Sequence, residues 1–249
     1  MKENLVSIIT PMYNAQQYIQ KTIKSVQAQT YTEWEMLIVD DCSDDRSGEI
    51  VLVLAEQDPR IKYYRNSARS GVAGSRNYAI SRAQGRYLAF LDSDDLWKPH
   101  KLECQIAFMK EKDAGFSYGM CEVIDENGRN LRKDRRVPER VDYKQLLKGN
   151  VIPCLTVVID KKIMPDVKMP EIPHEDYAAW LTLLRQGGYA YGMQNVLAQY
   201  RVSNHTVSSN KIKAMRWTWR IYRNYMKLPV MKSVFYFCAY VWKAVWKHF

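Results

Sequence analysis

The chain has 249 residues, of which 47% are apolar and 26% are charged. This composition excludes a disordered or fibrous protein, and the length is sufficient for one large α/β domain. The formal net charge of +10 is unevenly distributed, because residues 211–249 hold nine Lys or Arg and no Asp or Glu. We therefore divide the chain into a near-neutral domain, residues 1–210, and a basic tail, residues 211–249.

The five cysteines are odd in number and scattered, with no CxxC pair. This usage predicts a reducing compartment, with no zinc site and no disulfide framework. The N-terminus has no signal-peptide pattern, and no uncharged apolar run reaches the roughly 18 residues of a transmembrane helix.

The first part of the chain alternates strand and helix patterns. Buried strands are predicted over residues 5–10, 34–39, 61–64 and 87–91, from their largely apolar character. Helices are predicted over residues 18–29, around residues 50–54 and over residues 71–83, from apolar residues at helical spacing. Four such repeats predict a parallel, doubly wound α/β sheet with right-handed crossovers.

The chain up to residue 202 continues with both patterns. Helices are predicted over residues 99–112 and from residue 174 to the Gly187-Gly188 pair. Strands are predicted over residues 116–125, 151–160, 189–193 and 196–202. Asn127-Gly128 predicts a tight hairpin turn. Residues 129–140 are basic and nearly without apolar side chains, and they predict a mobile loop over the crevice at the sheet edge.

Two of the strands end in clusters of aspartates. Asp40 and Asp41 follow the second strand, and Asp92, Asp94 and Asp95 follow the fourth. An unpaired charge in a dry interior costs several kcal/mol, so each strand must end where these carboxylates meet water, a cation or a polar ligand. Neighbouring strand ends of an open parallel sheet share one crevice, and crowded carboxylates suit Mg²⁺ or Mn²⁺. The alternative is an acidic turn in which Asp92 or Asp95 caps the next helix.

A dinucleotide-binding domain is disfavoured by the turn after the first strand. That fold needs the glycine pattern GxGxxG there, so that a pyrophosphate can approach the helix N-terminus. Residues 10–14 read Thr-Pro-Met-Tyr-Asn and contain no glycine. NAD binding is therefore not expected.

Five motifs stand in an order that resembles one known family. They are residues 8–14 (IITPMYN), 39–45 (VDDCSDD), 71–77 (GVAGSRN), 92–95 (DSDD), and Glu175-Asp176 followed by Trp180. Over roughly residues 5–202 they resemble the signatures of inverting glycosyltransferases of family 2, especially bacterial surface-polysaccharide transferases. Cys42 stands where the family usually has a glycine. Residues 200–206, with Arg201, resemble a late family segment that closes over the diphosphate, or else Arg201 is an exposed loop charge.

The resemblance implies the GT-A fold, a Rossmann-like, mixed but mainly parallel sheet with flanking helices, here followed by a C-terminal helical tail. It also implies a nucleotide-diphosphate-sugar donor, usually UDP-linked, and a glycan or lipid-linked acceptor. By motif position, six residues would contact the nucleotide, namely Pro11, Tyr13, Asp41, Arg76, Asp92 and Ser93. Asp94, with Asp92 beside it, would bind Mg²⁺ or Mn²⁺ on the diphosphate, and Asp176 would be the catalytic base.

Some of these assignments have plain structural alternatives. Local sequence alone favours a helix cap for Asp176, whereas the other four motifs favour the base. Arg76 could instead be a solvated helix arginine. His174 is a lone histidine beside a cap, a position that is more often structural, so we assign it no role.

The residue pattern of the tail predicts two helices, residues 211–227 and 230–248, separated at Pro229. The second helix has an apolar stripe with lysines beside it, a pattern typical of helices on an anionic membrane surface. The stripe comprises Met231, Val234, Phe235, Cys238, Val241, Trp242 and Val245. The alternative is a helix packed on the domain itself or on a second copy in a homodimer. No RNA- or DNA-binding motif accompanies the tail, so no nucleic-acid partner is expected.

The sequence thus predicts an inverting, metal-dependent glycosyltransferase, a hexosyltransferase of surface-polysaccharide assembly. We expect it in the cytoplasm, peripherally bound to the inner face of the plasma membrane. One alternative is a sugar nucleotidylyltransferase, whose glycine- and Lys/Arg-rich turn after the first strand is missing here. The other is a non-catalytic, membrane-associated nucleotide-binding protein.

Overall fold

The structure is a computed structural model that describes residues 1–202 and 211–246. Its strands are β1 (Lys2–Met12), β2 (Trp34–Asp40), β3 (Ile61–Arg65), β4 (Gly85–Phe90), β5 (Leu96–Trp97), β6 (Phe116–Ile124), β7 (Asn130–Arg135), β8 (Arg140–Val141), β9 (Val158–Asp160) and β10 (Ala190–Arg201). Its α-helices are α1 (Ile19–Gln27), α2 (Ser47–Gln57), α3 (Gly71–Arg82), α4 (Lys101–Lys112), α5 (Tyr143–Leu146), α6 (Glu175–Arg185), α7 (Lys211–Arg220) and α8 (Val230–Trp246).

The strands form one sheet, whose main path has the order β3-β2-β1-β4-β9-β6-β10-β5. The pairs β1–β2, β2–β3 and β1–β4 are parallel and are connected through helices, so the predicted doubly wound half is confirmed. The register places Met12 opposite Asp40 and Ile9 opposite Phe90. The carboxyl ends of β1, β2 and β4 therefore lie together at one edge of the sheet.

Helices cover both faces of this sheet, which explains why β1 and β2 are apolar without alternation. On one face, Ile9 and Leu37 pack into a core with α3 and with Trp180 of α6. On the other face, Ile8 and Met36 pack into a second core with α1, α2 and α4. Because the strands are buried on both sides, their ends are the places where polar side chains reach solvent.

The second half of the sheet contains an antiparallel strand, so the mixed, mainly parallel sheet is confirmed, whereas some strand bounds differ from the prediction. β9 runs antiparallel to both β4 and β6. The strand predicted over residues 151–160 is reduced to β9, since Pro153 has no N–H to donate and residues 154–156 form a 3-10 turn. The two strands predicted over residues 189–202 are one strand, β10, with register shifts between Met193 and Ala198.

The predicted mobile loop at residues 129–140 is partly wrong. Asn130–Arg135 forms β7, which pairs antiparallel with β6 although all of its residues are exposed. The predicted turn before it is confirmed, because Gly128 has φ +86° and the Asn127 and Arg129 amides donate to Asp125. Backbone pairing with an existing strand forms β7 without an apolar pattern, so the sequence carries no signal for it.

The C-terminal segment packs against the domain. The two predicted helices are confirmed as α7 and α8, with a π-helical turn, Ile221–Tyr225, after α7. Four of its buried residues join the core around Trp180, namely Ile221, Tyr222, Met226 and Leu228. The alternative of packing on the domain is therefore realised for residues 221–228. The predicted boundary at residue 210 lies outside the described residues and stays a prediction.

Helix α8 turns an apolar stripe toward solvent. Met231, Phe235 and Trp242 are 83%, 62% and 64% exposed, and Val234 and Cys238 are exposed on the same side. The opposite side packs on the domain through the fully buried Ser233 and through Tyr236 and Phe237. No helix within residues 1–202 and 211–246 combines the length and hydropathy required to cross a bilayer.

Candidate active site

A cavity of about 1060 Å³ opens at the edge of the sheet where β1, β2 and β4 end. Its volume is slightly above the range of small-ligand pockets, which measure about 300–1,000 Å³. The structure brings all eight sequence-predicted site residues to its wall: Pro11, Tyr13, Asp41, Arg76, Asp92, Ser93, Asp94 and Asp176. Their individual roles stay predictions. Arg135, the last residue of β7, and Arg136 after it also line the cavity.

Asp41 is held by the loop that precedes α3. Its carboxylate accepts hydrogen bonds from the Ser70 and Gly71 amides at 2.7 and 2.9 Å and from Asn66 Nδ2 at 2.9 Å. Burial raises the pKa of Asp41, but these hydrogen bonds lower that pKa by more, so the carboxylate is charged at neutral pH. The neighbouring Cys42 has φ +62°, so the turn keeps the left-handed backbone that a glycine favours.

Tyr13 is covered by a guanidinium group at the cavity wall. The Cζ atom of Arg69 lies 3.7 Å from the centre of the Tyr13 ring, and both side chains line the cavity. The pair forms a flat, positively charged face that suits a heterocyclic base. The sequence carries no signal for Arg69, because a single arginine in a loop belongs to no periodic pattern.

Arg76 connects the end of β4 to the start of α6. Its guanidinium pairs with Asp92 Oδ1 at 2.5 Å and with Glu175 Oε1 at 2.6 Å. The residue is only 3% exposed, so the alternative of a solvated helix arginine is wrong. Glu175 stands in the fifth motif but was assigned no role from the sequence, since its partner Arg76 lies 99 positions away.

Asp94 forms no ion pair with any described residue. Burial, and then the nearby charge of Asp92, raise the pKa of Asp94 to about 6. Asp95 is buried beside it and accepts a hydrogen bond from the Arg201 amide at 2.7 Å. Neither Asp92 nor Asp95 caps the next helix, because α4 begins at Lys101 without a side-chain cap. The helix-cap alternative is therefore wrong for this turn.

The donor atoms fit a cation that is bound largely by its substrate. Within the described residues, no three His, Cys, Asp or Glu side chains are arranged to hold a metal ion by themselves. Mg²⁺ beside substrate phosphates needs only one or two protein carboxylates, because phosphate and water oxygens complete its shell. The Asp94 carboxylate, destabilised by burial and by the charge of Asp92, has the oxygen chemistry and the excess of negative charge that such an ion requires.

Asp176 lies in the first turn of α6 and lines the cavity. Its Oδ1 accepts from the Tyr177 amide at 2.7 Å, and its Oδ2 accepts from Asn150 Nδ2 at 3.2 Å. Burial raises the pKa of Asp176, and the charge of Arg76 opposes that rise. The N-cap residue of α6 is His174, with no side-chain cap, so Asp176 is not the N-cap.

Arg201 is a buried arginine at the end of β10. Its Nε donates to the Asp94 carbonyl oxygen at 2.7 Å and its Nη1 to the Asp125 carbonyl oxygen at 2.9 Å. Because the residue is 3% exposed, the alternative of an exposed loop charge is wrong. The Nη2 atom has no partner among the described residues, and the side chain lines the cavity. Residues 203–206 of the predicted closing segment lie outside the described residues.

Two aromatic side chains complete the wall near Asp176. His174 and Trp217 both line the cavity, with ring centres 5.2 Å apart and ring planes at 72°. Trp217 belongs to α7, so the C-terminal segment contributes to the site. The sequence predicted a membrane surface from the stripe of the second tail helix and assigned no role to Trp217 of the first.

The comparison with protein families decides the classification. A family model described as "Glycosyl transferase family 2" matches residues 7–165, which include the first four motifs. The chain belongs to this family. It is therefore a glycosyltransferase, and its fifth motif, at Glu175-Asp176, lies beyond the matched range.

Curated relatives extend the similarity over the whole chain of the transferase. A putative teichuronic acid biosynthesis glycosyltransferase, TuaG, of Bacillus subtilis is 46% identical over 98% of this chain and 97% of its own length. The Escherichia coli protein WfgD is 38% identical over 100% of this chain and 96% of its own length. WfgD is described as a UDP-Glc:alpha-D-GlcNAc-diphosphoundecaprenol beta-1,3-glucosyltransferase.

Solved structures confirm the GT-A fold of the transferase. Staphylococcus aureus TarS, solved in complex with UDP-GlcNAc, has a TM-score of 0.71 at 22% identity, over 90% of this chain and 67% of the TarS chain. The mannosyltransferase PcManGT of Pyrobaculum calidifontis, in complex with GDP-Man and Mn²⁺, has a TM-score of 0.71 at 18% identity, over 96% of this chain and 70% of its own. At these identities the likeness concerns the fold alone.

Proposed function

We propose that the transferase moves a hexose from a UDP-sugar to a lipid-linked glycan acceptor, with inversion at the anomeric carbon and with a divalent cation at the diphosphate. The observation that supports this proposal most is the convergence of Asp41, Asp94 and Asp176, from three separate segments, on one cavity. The donor named for WfgD supports a UDP-sugar, and its diphosphoundecaprenol acceptor supports a lipid-linked substrate.

The nucleotide would bind at the carboxyl ends of β1 and β2. The face formed by Tyr13 and Arg69 would stack on the base, and the charged Asp41 carboxylate would accept a hydrogen bond from it. Pro11 and Ser93 line the same wall. This arrangement leaves the diphosphate next to the β4 turn, where Asp92 and Asp94 lie.

The diphosphate end combines a buried arginine with two carboxylates. Asp94, with Asp92 beside it, would hold Mg²⁺ or Mn²⁺, which when bound would stabilise the negative charge that develops on the leaving diphosphate. The unpartnered Nη2 of Arg201 would donate to a diphosphate oxygen. Its other hydrogen bonds, to the Asp94 and Asp125 carbonyl oxygens, fix the guanidinium in advance.

Asp176 would act as the base. Its carboxylate removes the proton of an acceptor hydroxyl, whose oxygen bonds to the anomeric carbon while the bond from that carbon to the diphosphate breaks. A single displacement of this kind inverts the configuration. Asn150 and the Tyr177 amide each donate a hydrogen bond to one oxygen of the Asp176 carboxylate. Burial raises the pKa of Asp176, which makes this carboxylate a stronger base.

A defined transfer assay tests the whole proposal. The protein is incubated with Mn²⁺, one of several UDP-hexoses and a polyprenyl-diphosphate-linked sugar. We expect UDP release and a new glycosidic bond of opposite anomeric configuration to the donor, read by NMR. A new bond with the donor's own anomeric configuration would contradict inversion. Donor binding without transfer to the polyprenyl-diphosphate-linked sugar would contradict the proposed acceptor.

The Asp94→Asn variant tests the cation site. We expect its affinity for UDP in the presence of Mn²⁺ to fall roughly tenfold or more, because the carboxylate charge that binds the ion is lost. Calorimetric titration with UDP, in Mn²⁺ and in EDTA, measures the effect. The exposed Asp134→Asn variant in β7 serves as the control. Equal UDP affinity with and without EDTA in the unmodified protein would contradict the role of the ion.

We also propose that the α8 stripe binds an anionic membrane surface and brings the transferase to a lipid-linked acceptor at the inner face of the plasma membrane. Replacing Met231, Phe235 and Trp242 together by Ser should weaken binding to vesicles containing anionic lipid at least roughly tenfold, since burial of each such side chain contributes about 1.5–3 kcal/mol. All three are exposed, so the fold should be retained. Unchanged vesicle sedimentation would contradict the proposal. Deletion of residues 211–249 is a poorer test, because it removes Tyr222 from the core.

A further inference from the structure

We propose that His174 and Trp217 form the subsite for the sugar ring of the acceptor, so that the C-terminal segment completes the active site. This inference rests on the proposed function, because it places the acceptor next to Asp176 as the base. It concerns a part of the chain that the family match, residues 7–165, does not include.

The two side chains are fixed in the cavity wall by different elements. His174 precedes α6 in a left-handed conformation, with φ +59°, two positions before Asp176. Trp217 is carried by α7, whose neighbouring Thr218 is 3% exposed and whose following residue Ile221 is in the domain core. Their edge-to-face contact, at 5.2 Å, couples the two elements.

The chemistry of the pair matches a pyranose ring. A sugar ring has an apolar face of C–H groups and a rim of hydroxyl groups, and the half-buried indole of Trp217 offers the corresponding apolar surface. The buried Nε2 of His174 has no partner among the described residues. A hydroxyl group of the acceptor would satisfy it, as buried polar atoms require. Burial lowers the pKa of His174, so the imidazole is neutral near pH 7 and adds no charge.

The donor has its own contacts elsewhere in the cavity. Tyr13 and Arg69 provide the stacking face for the base, and Asp94 and Arg201 lie at the diphosphate end. His174 instead adjoins Asp176, which must face the acceptor hydroxyl. The aromatic pair is therefore assigned to the acceptor.

Helix α7 provides a matched control for this assignment. Trp219 lies two positions after Trp217 but contacts Phe237 of α8, with ring centres 5.3 Å apart, and does not line the cavity. Both tryptophans stand in the same helix and in the same basic segment. If the loss of any tryptophan from this helix impaired the transferase, replacing either Trp217 or Trp219 would show the defect. If Trp217 contacts the acceptor, only its replacement would show the defect.

The test measures acceptor and donor kinetics separately. We expect Trp217→Ala to raise the acceptor KM roughly tenfold, with UDP affinity and the slow hydrolysis of the UDP-sugar by water within about twofold of the unmodified protein. Trp217→Phe should restore most of the acceptor KM, and Trp219→Ala should leave it within about twofold. His174→Asn, which tolerates the left-handed backbone, should raise the acceptor KM as well.

Two results would overturn the subsite. The first is an unchanged acceptor KM in Trp217→Ala, and the second is an equal loss of donor hydrolysis and UDP affinity, which would show a merely structural role. Failure of the proposed function has a different signature. In that case the unmodified protein neither hydrolyses nor transfers any UDP-sugar, whereas failure of the subsite alone leaves the unmodified protein fully active.

Discussion

Replacing Asp176 by Asn should lower the turnover of the transferase by roughly 10²–10⁴-fold, the contribution typical of a positioned base. The amide is nearly isosteric and can still accept from the Tyr177 amide, so the fold and the nucleotide site should be retained. UDP affinity should therefore stay within about threefold. Initial rates of UDP release with saturating acceptor, together with calorimetric titration of UDP, measure the two quantities.

The control for this variant is Asp166→Asn, an exposed carboxylate in the connector before α6. Its turnover should be normal. In the unmodified protein, activity should fall as the pH decreases through the pKa of Asp176, which burial raises above that of an ordinary aspartate. A normal rate in Asp176→Asn would show that another group removes the acceptor proton.

The Arg76→Met variant should lose on the order of 3 kcal/mol of unfolding free energy and most of its activity. The substitution keeps an apolar stem in a buried position but leaves the Asp92 and Glu175 carboxylates without their cation, and breaking a buried ion pair costs about 3–5 kcal/mol. We take the lower end because the side chains of Asp92 and Glu175 remain 34% and 20% exposed and can hydrate. Urea unfolding followed by circular dichroism measures the stability.

A pH profile distinguishes positioning by Arg76 from simple destabilisation. The charge of Arg76 lowers the pKa values of Glu175 and Asp176, so its loss raises both. Because the base acts when deprotonated, the acid limb of kcat/KM should move to higher pH in Arg76→Met. Arg76→Lys should restore the profile only in part, since an ammonium lacks the planar fork that meets two carboxylates. The control is Arg82→Met, at an exposed position in α3, which should change neither the stability nor the pH profile of kcat/KM. An unshifted acid limb in Arg76→Met would contradict the effect of the Arg76 charge on the base.

The first half of the fold was predictable because the residue pattern of each segment and its position in the tertiary structure favour the same element there. The apolar runs that became β1, β2 and β4 are buried on both faces, and such runs differ clearly from the amphipathic helices between them. Aspartates at the ends of two of these strands then indicate one edge of the sheet. The predicted convergence of Asp41, Asp92 and Asp94 follows from parallel topology alone.

The second half was less predictable because its pairing is not local. β9 lies between β4 and β6, although it is distant from β4 in the chain, and β7 is held by backbone pairing, with the exposed Leu131 as its one apolar residue. The partner of Arg76 in α6 could not be identified either, since a salt bridge across 99 positions leaves no trace in periodicity or spacing. For the same reason, the contact of the Arg69 guanidinium with the Tyr13 ring and the hydrogen bond from Asn150 to Asp176 could not be predicted from the sequence.

The amino-acid sequence by itself determined the strand-ending aspartates, the order of the motifs and thus the family, because these depend on residue type and on neighbours along the chain. Only the tertiary structure decided that Arg76 bridges Asp92 and Glu175, and that Trp217 of the C-terminal segment reaches the wall beside His174. The physical reason is that burial and long-range pairing depend on how the elements pack. A tryptophan in a basic helix has the same local sequence whether it faces a membrane or an active site.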